Sequence, residues 1–219
     1  MKVLFLTDSL GLPRIFPEDE ILYLEETYSQ IVKNNLKNFD FFQITLTGEL
    51  CDKIINQARG YLVNWRPDFI IVGIGINDAR PPSLLIKLQE NKFFKYIFKI
   101  KIMKKIIEKL QKNFKKINLS TTSLNEFEKR ANQLKNSFKD SKIIWLEIVC
   151  DNKYENTRPG VIYWKSKFNE KLKSIFRNDF LQLSGLFTNK KVFNSDNLHY
   201  NKFGHKIVSE EILKKINSK

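Results

Sequence analysis

Cysteine, histidine, proline and glycine are all scarce in this chain: its 219 residues include 2 cysteines, 2 histidines, 6 prolines and 8 glycines. Cys51 and Cys150 make no disulfide framework and lack metal-ligand spacing, so both are read as free thiols. No low-complexity tract is long enough to argue disorder, and the apolar share is ordinary for a globular protein. Long apolar runs are missing too. No window reaches the ~18 residues of a membrane span. The N-terminus, Met1 to Asp8, offers one lysine and a very short apolar run. A secretory signal needs roughly 7–15 apolar residues and a small-residue cleavage site, so a cytoplasmic location is expected. The length points to one compact domain over residues 1–219.

Acidic residues are outnumbered, 24 Asp and Glu against 38 Lys and Arg, for a net charge of +14. Such a balance suits nucleic acid, an anionic membrane surface or an acidic substrate. The lysines are dispersed along the chain rather than gathered in a tail, which favours a lysine-rich composition without a nucleic-acid partner. No nucleic-acid recognition motif is found.

What is present is an alternation. Short β-branched and apolar runs at Val3 to Leu6, Phe41 to Leu46, Phe69 to Ile74 and Ile143 to Val149 read as buried strands, with Phe180 to Leu183 a weaker fifth. Between them Tyr28, Ile31, Val32 and Leu36, then Ile54, Ile55, Ala58 and Leu62, recur at helical spacing. A last helix is expected from about Lys202 toward Ile216. Near-continuous apolar strands alternating with helices predict an α/β fold, a parallel sheet covered on both faces. The stretch 81–136 exceeds that minimal alternation and is expected to form a basic helical insertion or cap. Within it Met103, Ile106, Ile107, Leu110, Phe114 and Ile117 form an apolar stripe behind a lysine-rich face. An ordinary sheet-packing helix, a lid, an oligomer contact and a membrane-surface contact all stay open for it.

In an open parallel sheet the loops leaving the carboxyl ends of the strands meet at one edge, where ligands bind. After the first strand comes Asp8-Ser9-Leu10-Gly11; after the second, Thr47-Gly48-Glu49; after the third, Gly75-Ile76-Asn77-Asp78; before the final helix, Asp196-Asn197-Leu198-His199. Together they offer a hydroxyl, a glycine amide, a carboxamide and an Asp/His pair, an inventory suited to acyl transfer. Ser9 needs a base to become nucleophilic, and His199, oriented by Asp196 three residues earlier, can serve. Asn77 and the backbone N–H groups of Gly48 and Ser9 are the candidate oxyanion donors. Taken singly, Ser9 reads as a helix cap, Gly48 as a turn, Asn77-Asp78 as a turn or cap and His199 as an ordinary histidine. The conjunction, in order and each just past a strand, carries the argument.

These blocks resemble the SGNH (GDSL-type) hydrolase superfamily: Thr7-Asp8-Ser9-Leu10, Gly48, Gly75-Ile76-Asn77-Asp78 and Asp196-Asn197-Leu198-His199, with Asn201 to His205 leading into the last helix. Thr7 stands where glycine is usual in the first block. The resemblance implies a three-layer α/β/α sandwich around a five-stranded parallel sheet of flavodoxin-like order. It also implies Ser-Asp-His catalysis with no metal or other cofactor, in a family of esterases, lipases, thioesterases and O-acyltransferases. Expected is a hydrolase of a saccharide O-acyl ester or similar small ester, with an O-acyltransferase of bacterial surface glycans, and after it a non-catalytic binding module, as alternatives. Arg14, Arg80 and Arg158 lie in or near the mouth and suit a substrate with an anionic group, unless Glu18, Asp19 or Asp78 hold them in structural pairs.

Overall fold

A computed structural model of the chain describes residues 1–15, 20–82 and 119–218. The sheet has five parallel strands, β1 (Lys2–Thr7), β2 (Asp40–Thr45), β3 (Phe69–Gly73), β4 (Lys142–Leu146) and β5 (Phe180–Leu181), in the order β2-β1-β3-β4-β5. That is the flavodoxin-like order. The central strands are apolar at almost every position because both sheet faces are covered: Val3 to Leu6 and Ile70 to Val72 are wholly buried.

Helices α1 (Tyr28–Asn35), α2 (Cys51–Tyr61), α3 (Ile76–Ala79), α4 (Leu124–Ser137), α5 (Val161–Phe176), α6 (Ser184–Phe187) and α7 (Lys202–Asn217) accompany the strands. On one side α1 packs against α7; on the other α2 packs against α4 and α4 against α5. Large side chains fill the layers. Phe5 meets Tyr28 and Phe41, and Trp145 meets Phe127 and Phe176. Phe5, Tyr28, Phe127 and Trp145 are fully buried, and burial of a large apolar side chain contributes about 1.5–3 kcal/mol, whereas Phe41 is only partly covered.

Strands β2 to β5 end earlier than the apolar runs suggest, whereas β1 continues past Leu6 to Thr7. Beyond β4, Ile148 exchanges backbone hydrogen bonds with the side chain of Asn169 on α5 instead of a neighbouring strand. β5 stops at Leu181 because Glu147 Oε2 accepts the N–H groups of Leu183 and Ser184, turning the chain away. Of the stretch 81–136, most of the basic segment, including Met103 to Ile117, lies outside the described residues. Its final part is α4, whose Phe127, Ala131 and Leu134 are buried in the core. The chain leaves and returns at one place, where Thr121 N–H and Oγ1 both donate to Arg80 O, at 3.0 and 2.8 Å. Both cysteines are free and buried. No described helix is long and apolar enough to cross a membrane.

Candidate active site

The carboxyl edge of the sheet gathers the loops that the motifs mark. Ser9 opens a single 3-10 turn, Ser9–Gly11, directly after β1. Asp8 caps that turn, its Oδ1 accepting Leu10 N–H at 2.9 Å. As first residue of the turn, Ser9 has a backbone N–H that the turn itself leaves without an acceptor. Thr7 sits where a glycine was usual, and the space has been found elsewhere. A Cβ on Gly11 would lie 2.9 Å from both Thr7 Cβ and Thr7 Oγ1, so the threonine occupies room that glycine at 11 frees.

His199 reaches Ser9 from 190 residues away: Ser9 Oγ and His199 Nε2 are 3.0 Å apart, both residues buried. His199 Nδ1 is hydrogen-bonded to Asp196 Oδ2. Asp196 Oδ1 accepts the N–H groups of Leu198 at 3.0 Å and His199 at 2.9 Å. The loop is tightly wound. Asn197 takes the left-handed conformation at φ 61, and Asn194 N–H donates to His199 O at 2.8 Å. Asn201 Oδ1 then caps α7 through Gly204 N–H.

The second and third motif loops lie against one another. Asn77 is buried, and its Nδ2 donates to Glu49 O at 3.1 Å, beside Gly48. Gly48 has φ +73, and a Cβ there would meet nothing within 4 Å. Its glycine is therefore required by backbone conformation, with open space above it. Gly75 is constrained both ways: φ is +124, and a Cβ would lie 2.7 Å from Ile148 Cδ1.

Burial shapes the electrostatics. It would raise Asp196, but the hydrogen bonds from the His199 ring and from His199 and Leu198 N–H outweigh it and bring the carboxyl to about 2. Burial lowers His199, against the pull of Asp196 and with the help of the Arg14 charge, so its imidazole is neutral near pH 7. Asp8 is pushed up to about 7 by burial, opposed by the Leu10 hydrogen bond and reinforced by Asp78. Burial also raises Asp78, against the hydrogen bonds it accepts from Thr122 and Cys51. The second histidine, His205, is lowered to about 3, by burial and then by His199; its Nδ1 accepts Tyr28 N–H at 3.1 Å.

The structure thus brings Ser9, Asp196 and His199 together and sets Gly48 beside Asn77. Of the three arginines, Arg14 lies near enough for its charge to act on Asp8, Asp196 and His199. Arg80 acts on Asp8. Arg158 belongs to the β4–α5 loop, which is tied to the His199 loop by Asp151 N–H to Asn197 O at 2.9 Å. At its other end a Cβ on Gly160 would lie 3.2 Å from Pro81, next to Arg80. Asp78 is not an arginine partner, since its two carboxylate oxygens accept from Cys51 and Thr122, while Glu18 and Asp19 lie outside the described residues. Among the described residues no group of metal-ligating side chains is found. Sequence reasoning passed over Thr122 and the part played by Asp78. Asp78 stood in plain view beside Asn77, but its partners come from other loops.

No family model and no curated protein matches this sequence. Solved structures do match its shape. TesA is similar at 10% identity with a TM-score of 0.63, covering 99% of this chain and 98% of its own. A lipase/acylhydrolase from Enterococcus faecalis is similar at 13% identity and TM-score 0.61, covering 98% and 94%. A catalytic mutant of Axe2, an acetylxylan esterase from Geobacillus stearothermophilus, is similar at 16% identity and TM-score 0.63, covering 100% and 94%. The chain shares the three-layer α/β/α fold of these solved structures, the architecture expected from its motifs. At such identities the likeness is one of fold.

Proposed function

We propose that this chain is a serine-dependent acyl-ester hydrolase working through an acyl-enzyme on Ser9. The observation that carries the reading is the Ser9 Oγ to His199 Nε2 contact of 3.0 Å, with Asp196 on the opposite ring nitrogen. His199 takes the Ser9 proton as Oγ bonds to the ester carbonyl carbon, and Asp196 stabilises the imidazolium. The oxyanion is received by Asn77 Nδ2 and the N–H groups of Gly48 and Ser9; each such donor is worth ~3–4 kcal/mol. His199 then protonates the departing alcohol, and water, deprotonated by the same ring, releases the acid and restores Ser9.

The favoured substrate is an O-acyl saccharide or similar small ester, a reading supported by the likeness to an acetylxylan esterase. Among the described residues neither Arg80 nor Arg158 enters an ion pair, and their loops meet at Pro81. That supports an anionic group close to the scissile ester. The first test is hydrolysis of p-nitrophenyl acetate by wild type, Ser9→Ala and His199→Ala, with fluorophosphonate labelling of Ser9. Activity and labelling confined to wild type are expected. Equal activity in Ser9→Ala refutes the mechanism. Arg80→Ala should raise KM for an anionic ester much more than for a neutral one, and equal effects refute the anionic substrate.

A further inference from the structure

The two side-by-side motif loops must hold their hydrogen-bond donors in register, because donors serve an oxyanion only if aimed before the charge develops. Asn77 comes from the third motif and Gly48 from the second, and Asn77 lies 28 residues after Glu49, the residue next to Gly48. What fixes one against the other is a pair of hydrogen bonds from consecutive residues. Asn77 Nδ2 donates to Glu49 O at 3.1 Å, and Asp78 Oδ2 accepts Cys51 N–H at 2.9 Å. Glu49 and Cys51 are the first and third residues after Gly48.

The second of these bonds solves a local problem. Helix α2 begins at Cys51, and its N-cap, Leu50, has no side chain able to accept an orphan amide. Asp78 supplies the missing cap from another loop and places a negative charge at a helix N-terminus, where the helix dipole favours it. Its other oxygen is held as well, with Oδ1 accepting Thr122 Oγ1–H at 2.7 Å. Thr122 N–H in turn donates to Asp78 O at 3.2 Å. The carboxylate is therefore fixed from both sides in a buried place, 1% exposed.

We propose that Asp78 is a positioning residue for the oxyanion hole, its carboxylate bridging the α2 N-terminus and Thr122 so that Gly48 N–H and Asn77 Nδ2 converge on one point. The proposal rests on the serine-hydrolase reading and adds a residue that does not touch the substrate. Its signature is selective. A loosened hole weakens binding of the tetrahedral, charged state and leaves ground-state binding alone.

The test measures p-nitrophenyl acetate hydrolysis and inhibition by a short alkylboronic acid, which becomes tetrahedral on Ser9. Variants are Asp78→Ala, Asp78→Asn and Thr122→Val, each first checked for folding. Asp78→Ala should lower kcat by about 10²-fold or more with KM within about twofold, and weaken the boronate by a similar factor. Asn keeps a carbonyl for Cys51 N–H and can donate its NH₂ to Thr122 Oγ1, so Asp78→Asn should recover activity to within about tenfold of wild type. If Asp78→Ala does not fold, Thr122→Val decides: kcat and boronate affinity falling severalfold together support the proposal. Unchanged kcat, or a fall in kcat without weaker boronate binding, overturns it. A wild-type protein that neither hydrolyses the ester nor labels at Ser9 overturns the hydrolase reading and this proposal with it, whereas an active Asp78→Ala overturns this proposal alone.

Discussion

Replacing Gly75 with alanine tests whether the loop carrying Asn77 is built as described. Gly75 is the N-cap of α3 at φ +124 and ψ −13, a region L-residues enter only under strain. That strain is worth about 1–3 kcal/mol. The new Cβ would also lie 2.7 Å from Ile148 Cδ1, 3.2 Å from Ile148 Cγ1 and 3.3 Å from Phe127 Cζ. Overpacking of this kind adds about 1–3 kcal/mol, for a total of about 2–6 kcal/mol. At about 2–4 °C per kcal/mol for a chain of this size, Tm should fall by at least about 4 °C. Ile148→Val removes the methyl that is struck first. Alone it should destabilise by about 0.5–1.5 kcal/mol, yet in the Gly75→Ala background that loss is offset by relief of the clash. Urea denaturation of the four proteins gives the coupling energy, expected near 1 kcal/mol in the favourable direction. Fluorophosphonate labelling of Ser9 by the alanine variant should slow more than its folded fraction explains, since Asn77 lies two residues on. Strict additivity, or a Gly75→Ala loss below about 1 kcal/mol, would refute the steric reasoning.

Three further outcomes follow from the same geometry. Asp196→Asn removes the anion that stabilises the imidazolium, and kcat/KM should drop by about 10³–10⁴ with Ser9 still in place, checked by ester hydrolysis and circular dichroism. Gly11→Ala should destabilise the Ser9 turn because of Thr7, and Thr7→Gly in the same chain should restore much of the loss; thermal melts of the single and double variants read this directly. The pH dependence of stability holds two opposed contributions. His205, at about 3 when folded and ordinarily 6.5, gives stability that is lost as pH falls from 6.5 to 3. Asp8, at about 7 when folded and ordinarily 3.8, gives stability that is lost as pH rises from 3.8 to 7. Each slope is about 1.4 kcal/mol per pH unit, so the two nearly cancel between pH 4 and 6.5. Asp8→Asn leaves the histidine slope alone, and its urea midpoint should fall with acid across that range where the wild-type difference from these two groups is flat. A parallel pair of curves would show that Asp8 does not titrate as its burial dictates.

Much of this protein is legible along the chain. The apolar runs that became β1 to β4 are nearly continuous because both faces of a parallel strand are covered, and the helical stripes of α1 and α2 mark their buried sides. Their alternation is enough for an α/β fold, and Ser9, Gly48, Asn77 and His199 could be picked out because each follows a strand or precedes a helix in a recognisable local pattern. Strand ends were less readable, since Asn169 and Glu147 capture the backbone at Ile148 and Leu183 through side chains distant in sequence.

What local pattern cannot carry is a contact across a long separation or the burial of a charge. The 3.0 Å meeting of Ser9 and His199, the capping of α2 by Asp78, and the accommodation of Thr7 by Gly11 against the first strand exist only once the loops are brought to one sheet edge. The same holds for Asp8 and His205, whose shifts of opposite sign come from loss of water around them. The sequence by itself determined which elements form and which residues stand at their ends, because propensity and hydrophobic period act over a few residues. Only the tertiary structure decided which of those residues meet and which lose their solvent, because packing sets distances and desolvation together.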